Sequence, residues 1–190
     1  MKSIVIAGVG GQGVLTASDL LSDVLLDADY EVKKSEVHGM SQRGGDVIST
    51  INFGEEVFSP LPSIKNTDYI ITFEKLEALR NINYLKDSGV IMVNDFIWEP
   101  LPVASGAEEY PDNIEQTLKK FTDNFILIPA TKIAEDLGNS RATNVVLLGV
   151  LASKMKIDLD IWKNVIKNRV PKKFIDLNLN AFDKGYSYKG

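Results

Sequence analysis

The chain has no cysteine and only one histidine, His38, among its 190 residues. Without thiols it can form no disulfide, bind no zinc through sulfur, hold no cysteine-ligated iron–sulfur cluster and use no cysteine nucleophile. A single imidazole excludes a histidine-rich metal site, and a Ser-His-Asp triad would have to use His38. The composition therefore excludes redox centres that need cysteine ligands or several histidine ligands.

Basic residues and long apolar runs are also scarce. The formal net charge is −5, whereas a general nucleic-acid binder needs a basic face to neutralise phosphates. No segment approaches the roughly 20 apolar residues that span a bilayer. The N-terminal MKSIVIAGVGG also lacks the longer apolar region and cleavage pattern of a signal peptide. We expect a soluble, cytoplasmic protein whose partners include neither nucleic acid nor a membrane.

What is present is an ordinary globular composition, 44% hydrophobic and 25% charged, in which strand and helix patterns alternate. Because strand–helix–strand units favour parallel pairing with right-handed crossovers, we predict an α/β fold. The expected form is a single Rossmann-like domain over residues 1–190, with a mostly parallel sheet flanked by helices and a helical C-terminal part. The predicted strands are Ser3–Gly8, Tyr30–Lys34, Asp46–Phe53, Asp68–Phe73, Val90–Asn94 and Phe125–Ile128, and the main predicted helices are Gln12–Ala28, Lys75–Lys86, Pro111–Phe121 and Arg141–Lys156.

A glycine-rich turn follows the first predicted strand. The run GVGGQG at residues 8–13 matches the G-x-G-x-x-G pattern in its usual place between a strand and a helix. The first glycine permits the tight turn, the second lets a ligand approach the backbone, and the last lets helix and strand pack closely. Free amides at the helix start, together with the helix dipole, favour an anion. We therefore predict ligand-binding roles for Gly8, Gly10, Gly11, Gln12 and Gly13, with the amides of residues 10–13 as donors.

Two alternatives remain open for this turn. The glycines could serve only a close strand–helix junction, in which case the chain could be a non-catalytic scaffold. A dinucleotide would need an acidic residue about 20 positions further on to bind the ribose, and Glu36 lies close to that position. The chain could then be a stand-alone oxidoreductase that binds NAD(P) or FAD.

The segment Ser35–Gly45 (SEVHGMSQRGG) concentrates an acid, the only histidine, an arginine, a hydroxyl and an amide among glycines. We expect Glu36–Gly45 to be an irregular loop at the carboxyl edge of the second strand, where ligands bind in doubly wound sheets. Arg43 offers a forked donor for a carboxylate or phosphate, and His38 can donate a hydrogen bond or move a proton near neutral pH. The alternative is a solvated surface loop, although long irregular loops are more often functional.

Together these motifs resemble a known family. GVGGQGV and SEVHGMSQRGGDV are similar to the gamma-type subunits of the 2-oxoacid:ferredoxin oxidoreductases, and most similar to the small (beta) subunits of the indolepyruvate enzymes. The similarity continues through FSPLP, DYIITFEKLEALR, GVIMVND and RATNVVLLGVL, so it covers most of the chain.

The resemblance implies a subunit of an enzyme that oxidatively decarboxylates a 2-oxoacid, transfers the acyl group to coenzyme A and passes electrons to ferredoxin. Thiamine diphosphate, Mg²⁺ and [4Fe-4S] clusters are implied for the large (alpha) partner subunit, since this chain has neither cysteine nor a GDG-type thiamine diphosphate motif. The small subunit would contribute packing, walls of the active site and a contact to coenzyme A, and would be inactive alone. The resemblance also implies aryl pyruvates such as indolepyruvate as substrates.

Carried onto this sequence, the resemblance implies a site built from both motifs. None of its residues is expected to be the covalent catalyst. His38 and Arg43 would support catalysis, and the others would contact a cofactor or substrate. The full set is Gly8, Gly10, Gly11, Gln12, Gly13, Glu36, His38, Gly39, Ser41, Gln42 and Arg43.

Other polar and aromatic residues receive structural interpretations. The helical spacing of Glu74 and Glu77 with Lys75 and Arg80 predicts a solvated face with local ion pairs. Asn144 lies on an apolar helix, where we favour a packed polar residue over a supporting donor to the site. Trp98 and the other tryptophan, Trp162, fit either partner contacts or packing within the fold.

Overall fold

The computed structural model describes residues 1–38, 45–99 and 101–189, with the backbone alone described at His38, Leu101 and Pro102. The described residues form six strands and eight α-helices. The strands are β1 (Lys2–Val9), β2 (Glu31–His38), β3 (Asp46–Gly54), β4 (Thr67–Thr72), β5 (Leu85–Asn94) and β6 (Phe125–Ile128). The helices are α1 (Val14–Asp27), α2 (Lys75–Asn81), α3 (Leu101–Ala104), α4 (Ile114–Phe121), α5 (Ala130–Asp136), α6 (Thr143–Ala152), α7 (Leu159–Arg169) and α8 (Ile175–Tyr186).

The strands form one sheet in the order β2-β3-β1-β4-β5-β6. β1, β4, β5 and β6 pair in parallel, whereas β3 runs antiparallel to both of its neighbours. The connection from β2 to β3 is too short for the crossover that a parallel pair requires, so these strands form a hairpin. The predicted α/β fold with a mostly parallel sheet is confirmed, with β3 as the antiparallel strand.

Helices cover both faces of the sheet and enclose two apolar clusters. The larger cluster joins α1 and α6 to one face, and the smaller lies between α2, α4 and the other face. α1 buries Val14, Ala17, Leu21 and Val24, whose spacing of three and four residues places them on one side of the helix. The order of the strands reverses between β1 and β4, and the turn that follows β1 lies at this switch point.

Helices α6 and α8 pack so closely that their backbones meet at two glycines, Gly149 and Gly185. A Cβ added to Gly149 would lie 2.2 Å from the Phe182 carbonyl oxygen, and one added to Gly185 would lie 2.0 Å from the Val146 carbonyl oxygen. All residues of α6 are buried. This apolar helix is therefore enclosed by the fold, and it is shorter than the predicted Arg141–Lys156.

Several other predicted boundaries were also wrong, because strand pairing and packing overrode local pattern. β2 continues to His38, so the loop predicted over Glu36–Gly45 begins later than expected. The helix predicted over Lys75–Lys86 ends at Asn81, and a 3₁₀ turn then leads into β5 at Leu85. The helix predicted over Pro111–Phe121, α4, begins only at Ile114. Within the described residues, no helix is both long enough and apolar enough to cross a bilayer.

Candidate functional site

The glycine turn after β1 adopts backbone angles and contacts that side chains would disturb. Gly11 and Gly13 have φ values of 101° and 92°, in the left-handed region. A Cβ on Gly8 would lie 2.7 Å from Val14 Cγ2 and 2.9 Å from Phe73 Cβ, so this glycine permits the close approach of β1, α1 and the segment after β4. The two roles are exchanged relative to the prediction, because Gly8 permits the close packing of strand and helix, whereas Gly13 supplies a turn with positive φ.

Several donors of the turn are already bound within the protein. The Gly10 amide donates to the Gly45 carbonyl oxygen at 3.0 Å, and the Gln12 amide donates to the Val9 carbonyl oxygen at 3.1 Å. The Gln12 side chain is also occupied, because its Oε1 accepts the Val9 amide at 2.7 Å. Of the amides predicted to bind an anion, those of Gly11 and Gly13 have no hydrogen-bond partner in the described part of the chain.

The two predicted motifs meet at the carboxyl edge of the sheet. The bond from Gly10 to Gly45 joins them directly, and Val9 lies opposite Asp46 in the pairing of β1 with β3. His38 is the last residue of β2 and lies opposite Val47. The predicted site residues Gly39, Ser41, Gln42 and Arg43 lie outside the described residues.

Glu36 does not occupy the position of a ribose-binding acid. It lies in β2, which β3 separates from β1, so its strand is about 10 Å from the one that carries the glycine turn. Its carboxylate forms a 2.8 Å ion pair with Lys34, and Lys34 also binds Asp19 of α1 at 2.5 Å. These contacts raise the pKa of Lys34 against the desolvation that opposes its charged form. The geometry gives no support to a dinucleotide reading based on Glu36.

A cleft of about 170 Å³ opens beside the glycine turn. It has a polar side with an exposed guanidinium, Arg141, which has no ion-pair partner among the described residues. Trp98, 46% exposed, forms part of an aromatic wall with Phe96, at 6.4 Å between ring centroids. The lining residues are Gly11, Gln12, Phe73, Asn94, Phe96, Trp98, Thr131, Ser140, Arg141 and Thr143.

Asn94, the last residue of β5, joins the end of β4 to the start of α5 at this cleft. Its Nδ2 donates to the Phe73 carbonyl oxygen at 3.0 Å and to Thr131 Oγ1 at 2.8 Å, and its Oδ1 accepts the Thr131 amide at 3.2 Å. Sequence reasoning missed Asn94, Thr131 and Arg141 as site residues. A usable signal was present, since Asn94 ends a predicted strand and ligands bind outside the carboxyl ends of strands.

A second cleft, of about 340 Å³, lies on the other face of the sheet at the same edge and is largely acidic. Glu74 and Glu77 line it but are only 1% exposed, so the prediction of a solvated helix face is wrong for them. Both are buried because α2 packs onto the sheet by the side that carries them. Trp98 borders both clefts.

The carboxylates of this second cleft form a connected network. Arg80 Nη1 donates to Glu77 Oε1 and to Asp46 Oδ1, each at 2.6 Å. Glu74 Oε1 accepts the Glu77 amide at 2.6 Å and so caps α2, while Glu74 Oε2 accepts the Tyr110 hydroxyl at 3.0 Å. Burial, and next the charge of Asp46, raise the pKa of Glu77 to about 7 despite Arg80. Burial and then Glu74 also raise the pKa of Tyr110, so its hydroxyl stays protonated and donates.

Asn144 and Trp162 pack within the fold, which was one of the two interpretations that the sequence allowed for each. Asn144 is buried under the glycine turn, where its Nδ2 would lie 3.6 Å from a Cβ on Gly13, and its Oδ1 accepts the Val145 amide. Trp162 is buried against Phe182, at 5.8 Å between ring centroids. Trp98, by contrast, is exposed at the candidate site.

The fold and this edge define a class of protein: a Rossmann-like α/β protein whose candidate site lies at the switch point between β1 and β4. Residues 3–188 match the family model for pyruvate ferredoxin/flavodoxin oxidoreductase. The crystal structure of a keto/oxoacid ferredoxin oxidoreductase gamma subunit from Geobacter sulfurreducens superposes with a TM-score of 0.72 at 20% identity, covering 98% of this chain and 96% of that one.

Curated relatives match over nearly the same length. The indolepyruvate oxidoreductase subunit IorB of Pyrococcus horikoshii is 42% identical and that of Thermococcus kodakarensis 43% identical, each over 96% of this chain and 93% of the relative. A 2-oxoglutarate synthase subunit KorC of Methanothermobacter marburgensis is 26% identical over 97% of this chain and 94% of the relative. The chain belongs to the pyruvate ferredoxin/flavodoxin oxidoreductase family and is a subunit of such an oxidoreductase. The resemblance inferred from the two motifs is confirmed.

Proposed function

We propose that this chain is the small, gamma-type subunit of an indolepyruvate-type 2-oxoacid:ferredoxin oxidoreductase, forming one domain over residues 1–190 and working in the cytoplasm. The complex decarboxylates an aryl pyruvate oxidatively, transfers the acyl group to coenzyme A and passes the electrons to ferredoxin. The preference for aryl pyruvates is supported by the identity of 42% to 43% with indolepyruvate oxidoreductase subunits, against 26% with a 2-oxoglutarate synthase subunit.

The redox groups of the reaction belong to the large subunit in this proposal. An iron–sulfur cluster needs thiolate ligands, and this chain has no cysteine, so its residues do not fit a cluster. The described residues also contain no group of three or more histidine, aspartate or glutamate side chains suited to a metal ion. Thiamine diphosphate, held with Mg²⁺ by the large subunit, supplies the nucleophilic carbon and the electron sink for decarboxylation.

The residues of this chain bind and orient an anionic group in the cleft beside the glycine turn. The observation that carries this assignment is that Gly11, just before α1, and Arg141 line the same cleft. Among the described residues the Gly11 amide has no hydrogen-bond partner and the Arg141 guanidinium has no ion-pair partner. A helix N-terminus and an arginine both favour a phosphate or carboxylate. The anion is a phosphate of coenzyme A or the carboxylate of the 2-oxoacid, and Trp98 provides a flat apolar wall beside it. His38, Gly39, Ser41, Gln42 and Arg43 are proposed to complete the site from the β2–β3 connection.

The large subunit is proposed to dock on the apolar side of the β3–β4 connection. Phe58, Leu61 and Ile64 of this connection are 79%, 61% and 73% exposed. Their backbone is fixed on the sheet, because Asn52 Nδ2 donates to the Ser59 carbonyl oxygen at 2.6 Å and Thr50 Oγ1 donates to the Pro60 carbonyl oxygen at 2.8 Å. Large apolar side chains held rigidly in solvent are typical of a surface that is covered in a complex.

Co-purification tests the assembly. Co-expression with the large subunit is expected to give a complex that contains iron and reduces ferredoxin or a viologen dye with indolepyruvate and coenzyme A, whereas the single chain is inactive. Replacing Phe58 and Leu61 by serine is expected to prevent the complex from forming without unfolding the chain, since both side chains are exposed. A single chain that oxidises 2-oxoacids at the rate of the complex would refute the proposal.

Steady-state kinetics of the complex test the anion site. Arg141→Ala is expected to raise the KM of either coenzyme A or the 2-oxoacid about tenfold or more, because a hydrogen bond to a charged group is lost. The substrate that is affected identifies the anion. Arg169→Ala is the matched control, since Arg169 is also exposed but binds Asp23 on α1, away from the cleft. Arg43→Ala tests the contribution of the β2–β3 connection. Unchanged KM values in Arg141→Ala and Arg43→Ala would contradict the anion site and would favour a non-catalytic scaffold.

A further inference from the structure

Arg80 joins two carboxylates that belong to different parts of the fold. The same Nη1 atom donates to Glu77 on its own helix and to Asp46, the first residue of β3. Asp46 lies opposite Val9, the last residue of β1. The two ion pairs therefore connect α2 with the point at which the β2–β3 connection rejoins the sheet.

The next residue along the chain extends this connection to the glycine turn. Gly45 directly precedes Asp46, and its carbonyl oxygen accepts the Gly10 amide at 3.0 Å. A side chain that fixes Asp46 also restrains the peptide unit before it. The position of the Gly45 carbonyl, and hence the orientation of the Gly10 amide, depends on how firmly Asp46 is held.

Glu77 and its neighbours hold Arg80 from a rigid base. Glu77 is 1% exposed. Its backbone amide donates to the Glu74 carboxylate, and its carbonyl oxygen accepts Asn81 Nδ2 at 2.9 Å. Glu74 is in turn bound by the Tyr110 hydroxyl. Arg80 thus reaches outward to Asp46 from a carboxylate that cannot move without disturbing α2.

We propose that Arg80 and Glu77 are positioning residues of the site: through Asp46 they hold the end of the β2–β3 connection against the glycine turn. They touch neither substrate nor cofactor, and they act through the Gly45–Gly10 bond. The expected effect on the reaction rate rests on the proposed function. The restraint on the Gly45–Gly10 hydrogen bond does not depend on it.

Stability alone gives no reason for this arrangement. The charged groups around Glu77 are Glu74 and Arg80 of its own helix, Asp46 of β3 and, across the cleft, Glu108 and Glu109. Arg80 is the only cation that lines this cleft in the described part of the chain, and Glu115 of α4 is bound instead by Lys75. A buried carboxylate among others is costly, and a neutral side chain of the same size would avoid the cost.

Hydrogen exchange of the assembled complex tests the positioning without reference to activity. Arg80→Met is expected to speed exchange at the Gly10 amide, because the acceptor at Gly45 is no longer restrained. Exchange in α6 should stay unchanged. Lys163→Met is the matched control, since it breaks a 2.7 Å ion pair with Asp183 between helices that do not border either cleft. Wild-type protection of the Gly10 amide in Arg80→Met would overturn the inference.

Kinetics separate positioning from a general structural role. Arg80→Met is expected to lower kcat/KM about tenfold or more, because a small displacement of the groups that orient the substrate lowers the rate steeply. Arg80→Lys should restore part of the loss, since a lysine keeps one ion pair. Glu77→Gln should remove an inflection near pH 7 from the pH profile, because it removes the ionisation of Glu77. Variants with wild-type rates and pH profiles would also overturn the inference.

The two proposals fail in different ways. If the wild-type complex does not oxidise 2-oxoacids, the proposed function fails, while the exchange experiment still tests the link between Arg80 and Gly10. If the wild-type complex is active and Arg80→Met matches Lys163→Met in exchange and kinetics, only the positioning role is refuted.

Discussion

The side of the sheet that carries α6 and α8 differs sharply from the carboxyl edge beside α2. Between α6 and α8, two glycines allow the backbones to touch, and every residue of α6 is buried. Beside α2, the buried groups include the carboxylates of Glu74 and Glu77, in a cleft that Arg80 also lines. The first region gains stability from dense apolar packing, whereas the second accepts an electrostatic cost.

This contrast separates the parts of the chain that stabilise the fold from those that form the candidate site. The contact of Gly149 with Phe182 and of Gly185 with Val146 is between apolar residues, so these residues are explained by packing alone. A buried charge that raises the free energy of the folded state needs another reason, and perturbed carboxylates in a cleft are typical of functional regions. Substitutions in the two regions should therefore affect stability and activity in opposite proportion.

The largest effect is expected at the contact between α6 and α8. Gly185→Ala would place a Cβ 2.0 Å from the Val146 carbonyl oxygen, so the helices must separate. We expect a loss of about 3 kcal/mol or more in the free energy of unfolding, measured by urea denaturation of the subunit. Gly138→Ala is the control, because its φ of 97° is strained but its Cβ would meet open space. That variant should lose only about 1 kcal/mol. Equal losses in both variants would mean that the helix contact is not as close as described.

An intermediate effect is expected for Glu77, and it depends on pH. The folded-state pKa of about 7 exceeds the ordinary value of 4.5, so the folded chain holds this proton more tightly than the unfolded chain. The resulting stability is fully present below about pH 4.5 and is lost as the pH rises through about 7. Gln mimics the protonated acid, so Glu77→Gln should gain about 2 kcal/mol relative to the wild type between pH 5 and 8.

Urea denaturation at several pH values measures this difference. The comparison of the two proteins at each pH cancels the titration of every other group that both share. A stability difference that does not change with pH would show that Glu77 titrates normally and would remove the electrostatic contrast between the two regions.

The smallest effect is expected for an exposed ion pair. Lys163→Met breaks the contact of Lys163 with Asp183, which links α7 to α8 at the protein surface. Because exposed pairs contribute little in water, we expect a change of less than about 1 kcal/mol in thermal or urea unfolding. A loss comparable to that of Gly185→Ala would mean that the α7–α8 contact depends on charge and not on packing.

Much of the candidate site followed from local sequence signals. GVGGQG predicted a turn at the end of a strand, because left-handed and crowded backbone positions require glycine. The SEVHGMSQRGG segment was placed at the same edge, and the bond between Gly10 and Gly45 joins the two. The extent of β2 could not be predicted, because strand pairing with β3 extends a segment whose own sequence is polar.

Residues that join distant parts of the chain were harder to predict. Arg141 approaches the glycine turn because α6 packs behind it, and no local pattern carries that information. Glu77 and Arg80 have the spacing of a surface ion pair, which is what they would be on an exposed helix. Packing of α2 on the sheet buries Glu77 and directs Arg80 to Asp46.

By itself the sequence determined the α/β class, the family, the glycine turn and the lack of any thiolate ligand, since these depend on residue types and local spacing. Only the tertiary structure decided the antiparallel β3, the pairing of Glu36 with Lys34, and the meeting of Arg141 with the glycine turn. The physical reason is that burial and charge pairing depend on which segments pack together, and that choice is made by the whole chain.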